Sequence, residues 1–91
     1  MIGEATAKKF ADKYPASRRP LARFIEIVRA AQWRHMPDVK ASFSTTDFDS
    51  ADQTYIFDIG GNKYRLRASI DFQEQTFLIE SVKKHDQYDR G

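Results

Sequence analysis

Three cations alternate along the run Lys63-Tyr64-Arg65-Leu66-Arg67, and a second group closes the last apolar stretch as Lys83-Lys84-His85-Asp86-Gln87-Tyr88. Arginine matches the geometry of phosphate oxygens and contacts them in pairs. Histidine changes charge near neutral pH, and histidine and tyrosine are both proton-transfer groups. If the two stretches lie on neighbouring strands, one surface gathers cations, a histidine and a tyrosine. Such a surface can bind a phosphodiester and move protons around it. The plainer reading of the first run is a charged strand face that serves solubility and edge protection. Two features favour phosphate binding: no acid interrupts the cations before Asp71, and two of the three are Arg. For His85 both readings stand, a solvated residue near the C-terminus or a general acid/base.

Other candidates carry less. His35 sits between Arg34 and Met36 with no catalytic partner nearby in sequence, and reads as a surface or packing residue. Gly60-Gly61-Asn62 lacks the following helix and Lys-Ser/Thr of a phosphate-binding loop, so it reads as a hairpin connection. Asp47, Asp49 and Asp52 resemble a calcium loop only superficially, because the glycine and terminal Glu of an EF-hand are missing. With no Cys and two His, neither a metal site nor a cofactor site is expected. No nucleophile-elbow motif supports a Ser-His-Asp triad. Trp33 reads as a core or hinge aromatic before it reads as a base-stacking platform.

The elements that must position these residues follow from periodicity. Ala7, Phe10, Ala11 and Tyr14 fall on one helical face within Glu4–Tyr14, and Pro15 stops that helix. Ser17 is a candidate N-cap for a second helix, with Pro20 in its first turn and Leu21, Phe24, Ile25 and Val28 on its apolar face. The two should pack antiparallel. A short helix is expected at Pro37–Ala41 with Pro in first position, and Phe43 anchors it to the core. The polar, acidic stretch Ser44–Gln53 reads as a solvated loop with Phe48 as its one possible anchor. From Thr54 the period becomes two. Lys63, Arg65, Arg67, Ser69 and Asp71 share one strand face; Tyr64, Leu66, Ala68, Ile70 and Phe72 share the other. The third run, Thr76–Val82, points Phe77 and Ile79 inward, and its alternation slips at Val82, which predicts a bulge or strand end.

These elements give one α+β domain over residues 1–91: two to three N-terminal helices on a small, mainly antiparallel sheet of three to four strands. The chain is 91 residues, 41% hydrophobic and 13% aromatic, enough for a small core and unlike a disordered sequence. Its net charge of +2 is uninformative, but its distribution is not. Residues 1–45 carry nine Lys+Arg against four Asp+Glu (+5), and residues 46–91 carry six against nine (−3). No apolar stretch approaches the roughly 20 residues of a membrane helix. The first residues form no signal-peptide core, so the expected location is cytoplasmic with no membrane partner.

From Tyr55 to Tyr88 the chain resembles the HigB family of bacterial toxins, RelE-like mRNA interferases of type II toxin–antitoxin systems. The resemblance rests on Tyr55-Ile56-Phe57-Asp58-Ile59-Gly60-Gly61-Asn62-Lys63-Tyr64-Arg65-Leu66 and on His85-Asp86-Gln87-Tyr88-Asp89. Trp33, Asp38-Val39-Lys40, Phe43 and the helices around Lys13-Tyr14-Pro15 also match, so it spans nearly the whole chain. Two positions depart from the pattern. Members usually have Asn where Asp58 stands and Thr where Lys84 stands. The N-terminal strand of the family is reduced to about Met1-Ile2.

The resemblance implies a RelE-like fold and cleavage of messenger RNA lying in the ribosomal decoding site, without a metal. In that picture Arg65 serves the scissile phosphate, with Lys63 and Arg67 as helpers or backbone contacts. His85 is the preferred general acid/base, and Tyr88 is a second proton-transfer candidate or a stacking platform. Asn62 orients a phosphate or only completes the turn, and Lys83 and Lys84 add phosphate contacts. The Lys84 cation beside His85 favours the neutral imidazole. The implied partners are the ribosome, its bound mRNA and a cognate HigA-type helix-turn-helix antitoxin. The competing expectation is a degenerate toxin, a module that binds RNA, the ribosome or an antitoxin without cleavage.

Overall fold

The computed structural model describes residues 1–61 and 63–84. In chain order these form α1 (Glu4–Lys13), a 3₁₀ turn (Pro15–Ser17), α2 (Arg18–Ala30), α3 (Met36–Ser42), β1 (Asp47–Asp49), β2 (Thr54–Ile59), β3 (Tyr64–Asp71) and β4 (Thr76–Lys84). The four strands make one sheet in the order β1-β2-β3-β4, each neighbour antiparallel. The helices cover one face, which is the α+β arrangement expected.

Helix α1 buries Ala7 and Ala11 and packs chiefly on β4; α2 buries Leu21, Phe24 and Val28. Small residues on α1 let its backbone approach the sheet. Gly3, which starts this helix, has φ +89°, and a Cβ there would lie 2.5 Å from the Ile79 carbonyl oxygen, so only glycine fits. Just before it, Ile2 bridges β4 in parallel: its N–H donates to Phe77 O at 2.8 Å and its carbonyl accepts from Ile79 N–H at 2.9 Å. That bridge partly covers the outer edge of β4.

Phe57 on β2 is fully buried at the centre of the core. Phe24, Phe43, Phe77 and Trp33 surround it with ring centroids 5.0 to 6.4 Å away. Trp33 is therefore a core residue, within the core-or-hinge reading of the sequence. Its indole N–H donates to Ser42 Oγ at 3.2 Å, and its carbonyl accepts from the Gln75 side-chain amide at 2.7 Å. The second bond ties the β3–β4 turn to the segment after α2. The same amide donates to Phe72 O, and Gln75 holds φ +56°. A turn without glycine is thus fixed by its own side chain.

Three local expectations change. Ser17 precedes α2 but does not cap it; its hydroxyl donates to Tyr14 O at 2.7 Å and closes the 3₁₀ turn instead. The stretch read as a solvated loop contains strand β1, with Asp47, Phe48 and Asp49 opposite Ile56, Tyr55 and Thr54. Phe48 rests on the Tyr55 ring, centroids 4.8 Å apart, so its anchoring role holds. The slip in β4 is a bulge, but two residues before Val82: Arg67 faces Ser81 and Ala68 faces Ile79, leaving Glu80 as the extra residue.

Candidate functional site

Alternation along β3 is realised as read. Tyr64, Leu66 and Ala68 are buried toward the helices, while Arg65 and Arg67 lie on the helix-free face. The antiparallel register then decides what each cation meets. Arg65 stands between Asp58 on β2 and Lys83 on β4. Arg67 stands between Ile56 and Ser81. A row Asp58–Arg65–Lys83 therefore crosses the sheet near the end where β4 finishes at Lys84.

Arg65 is the most enclosed cation of this face. Its side chain is 14% exposed, and that of Asp58 is 23% exposed. Arg65 Nη1 lies 2.9 Å from Asp58 Oδ1. The N–H does not point at the carboxylate, so the pair is held by charge and Nη1 is left without a directed acceptor. A desolvated pair of this kind is coupled more tightly than an exposed one. Lys83 is exposed beside it, and Lys63 is exposed in the connection between β2 and β3.

Arg67 has a different setting. Its Nη1 donates to Asp49 Oδ2 at 3.1 Å, Asp52 Oδ2 at 3.1 Å and Thr54 Oγ1 at 2.8 Å. Thr54 is almost wholly buried. The Arg67 hydrogen bond, offset in part by desolvation, holds the Asp49 carboxyl below the usual carboxylate range. The turn is closed further by Asp49 Oδ1, which accepts from the Ala51 N–H at 3.0 Å. Arg67 thus pins the β1–β2 turn, and two of the three acids in the stretch read as a solvated loop, Asp49 and Asp52, are its partners.

Lys84 faces the other way. It is paired with Tyr64 across β3–β4, on the helix side, and its Nζ sits 4.4 Å from the centroid of the Tyr14 ring. The cluster Lys83-Lys84 therefore divides between two faces of the sheet: Lys83 joins Arg65, and Lys84 joins the end of α1. Gly60 and Gly61, with φ of +63° and +73°, make the turn that the hairpin reading required. Asn62, His85 and Tyr88 lie outside the described residues. His35 is exposed, 3.9 Å from Asp38 through Nδ1, away from this row in the fold's chain order at the start of α3.

Sequence reasoning placed the charge of Asp58 near the cations of the hairpin without naming Arg65 as its partner, and it missed Asp49 and Asp52 as partners of Arg67. Periodicity along one strand reports which residues share a face, not which residues of neighbouring strands stand opposite. Folding the chain about Gly60-Gly61 sets 58 opposite 65, which contained the signal for Asp58; Asp49 and Asp52 reach Arg67 only through the separate pairing of β1 with β2. Elsewhere, a groove of about 450 Å³ lies between α1 and α2, and a cleft of about 390 Å³ runs beside Asp58, Gly60 and Arg23. Among the described residues, no group of three His, Asp or Glu is arranged to hold a metal ion. No described helix is long and apolar enough to cross a membrane.

Comparison with known proteins bears on this geometry. Residues 17–91 match the family described as HigB toxin, the RelE-like toxic component of a toxin–antitoxin system. The chain is 30% identical over 90 residues to the mRNA interferase toxin HigB of Escherichia coli strain K12, covering 98% of this chain and 86% of that protein. The mRNA interferase HigB of Escherichia coli O157:H7 matches to the same extent. That of Escherichia coli O6:H1 is 25% identical over 91 residues, covering 99% and 88% of the two chains.

Proposed function

The chain belongs to the HigB family of RelE-like toxins, and we propose on that premise that it is the toxin of a toxin–antitoxin pair and an endoribonuclease that cuts messenger RNA. The observation that carries the site reading is the row on the helix-free face, where Arg65 and Lys83 stand side by side one strand apart. In sequence, His85 follows that row by two residues.

The chemistry needs only side chains. The RNA 2′-OH attacks the adjacent phosphorus, the bond to the 5′-oxygen breaks, and a cyclic phosphate and a 5′-hydroxyl end result. One proton must leave the 2′-OH and another must reach the 5′-oxygen. His85 is assigned to proton transfer, with Tyr88 as the second group. The phosphorane carries more negative charge than the starting diester. Arg65 stabilises that charge more than it stabilises the ground state. Lys83 and Lys63 contact neighbouring phosphates, and the arrangement requires no metal. A site with so few groups suits an enzyme whose substrate is positioned by the ribosomal decoding site, and weak cleavage of free RNA is its signature. The partner that silences it is a HigA-type helix-turn-helix antitoxin.

Expression in a bacterial host tests the assignment. The wild type should arrest growth, and Arg65→Ala and His85→Ala should each relieve the arrest. If both variants remain as toxic as the wild type, these residues do not form the site. The Asp58 carboxylate leaves less of the Arg65 charge for the phosphorane, which favours a second reading, a module that binds RNA or the ribosome through its other cations without cutting. That reading predicts blocked translation with no new RNA ends.

A further inference from the structure

We propose that Asp58 is a positioning residue that competes with RNA phosphate for Arg65 and so weakens the affinity of the helix-free face for RNA. The inference rests on the reading of Arg65 as a phosphate contact. Asp58 and Arg65 are direct cross-strand partners, where side chains on one face are closest. Their charges stand 2.9 Å apart with both side chains mostly enclosed. Arg65 has Lys83 on its other side, so its two cross-strand neighbours are one acid and one cation. A phosphate arriving at Arg65 meets a guanidinium already neutralised from the β2 side. It must either share that guanidinium or displace the carboxylate.

The contrast with Arg67 sharpens the point. Arg67 makes directed hydrogen bonds to three oxygens, one of them buried, and serves the fold. Arg65 has a single carboxylate beside it, Asp58 at 2.9 Å, and its Nη1 is buried. A guanidinium held by one carboxylate, not by three acceptors, is the one for which a second anion competes. Asp58 thus sets how much of the Arg65 charge is available, while the backbone ladder of β2 and β3 keeps the two residues opposite each other.

The test is binding of a short single-stranded RNA, 2′-O-methylated throughout so that it cannot be cleaved, at several salt concentrations. Variants are Asp58→Asn, Asp58→Ser, Arg65→Ala, the double variant Asp58→Asn/Arg65→Ala, and Asp71→Asn. The last removes one negative charge from the same face at an exposed position, and its effect is the general effect of charge. Asp58→Asn should tighten binding about 5-fold more than Asp71→Asn, a factor set by the strength of a partly enclosed ion pair. The slope of log K against log salt should steepen by about 0.7, as one more phosphate is neutralised. In the Arg65→Ala background, Asp58→Asn should do no more than Asp71→Asn does. Thermal melts confirm that each variant is folded, and Asp58→Ser replaces Asp58→Asn if the latter is not. If Arg65→Ala weakens binding but neither Asp58 variant tightens it beyond Asp71→Asn, the competition is refuted and the RNA reading of Arg65 stands. If Arg65→Ala leaves binding unchanged, the RNA reading itself fails.

Discussion

Arg67→Met asks whether the arginine that pins the β1–β2 turn belongs to the fold. Methionine keeps an unbranched stem over the sheet, where the cross-strand partner Ile56 is only 7% exposed, and removes the guanidinium. Three acceptors are then abandoned. Thr54 Oγ1 is buried, and a hydrogen bond from a charged donor to such a group contributes about 1.5–3 kcal/mol. Asp52 is 66% exposed, so its share is at most about 1 kcal/mol. Asp49 adds a part that depends on pH. Its folded-state carboxyl titrates below the unfolded value, so its contribution is complete above about pH 4 and is lost as pH falls through the folded-state value. The expected cost at pH 7 is therefore about 1.5–4 kcal/mol, or roughly 6–32 °C in Tm for a domain of this size. Urea denaturation of both proteins at pH 7, 5, 4 and 3 measures it. The gap should be constant from pH 7 to 5 and should narrow below pH 4. A gap that does not change with pH, or one below about 0.5 kcal/mol at pH 7, would falsify the role assigned to Arg67.

Other outcomes can be stated more briefly. Arg65→Ala should lower the rate of mRNA cleavage on ribosomes by about 10²–10³-fold, the loss typical of one donor to a developing charge, read by primer extension in a reconstituted translation mix. A melt that shows the variant still folded at the assay temperature, even with Asp58 left unpaired, separates catalysis from folding. Phe57→Ala should cost about 3–5 kcal/mol, because it empties the centre of the aromatic core; calorimetry measures the drop. Gly3→Ala should destabilise by more than about 1 kcal/mol, since it meets both a positive φ and the Ile79 carbonyl. Amide exchange at Ile79, whose N–H bonds to Ile2, should accelerate first in that variant.

The residues themselves show how much could be read without coordinates. Helices α1 and α2, the inward set Tyr64, Leu66 and Ala68, and the turn at Gly60-Gly61 follow from period and turn chemistry, and the structure has them. These are local properties, decided by which face a side chain takes. What escaped was set by register. Strand β1 is three residues long and mostly polar, too short to show alternation, and it exists because Phe48 meets Tyr55 and because Arg67 collects Asp49 and Asp52. Ser17 looked like a cap because its type and position fit one, yet the 3₁₀ turn before α2 takes its hydroxyl first. The candidate site divides the same way. That Arg65 and Arg67 share a face was legible from spacing, whereas Asp58 beside one and a buried threonine beside the other required the pairing of β2 with β3. Adjacent lysines 83 and 84 also point to opposite faces, so a charge run along a strand counts only half its members toward any one surface.

The central claim is cleavage of messenger RNA, and mapping of RNA 5′ ends after induction in a bacterial host tests it most directly. Wild-type protein should produce new 5′-hydroxyl ends within translated reading frames, and Arg65→Ala and His85→Ala should not. Arrested translation with no new ends in the wild-type sample would contradict the claim and leave a binding module in its place.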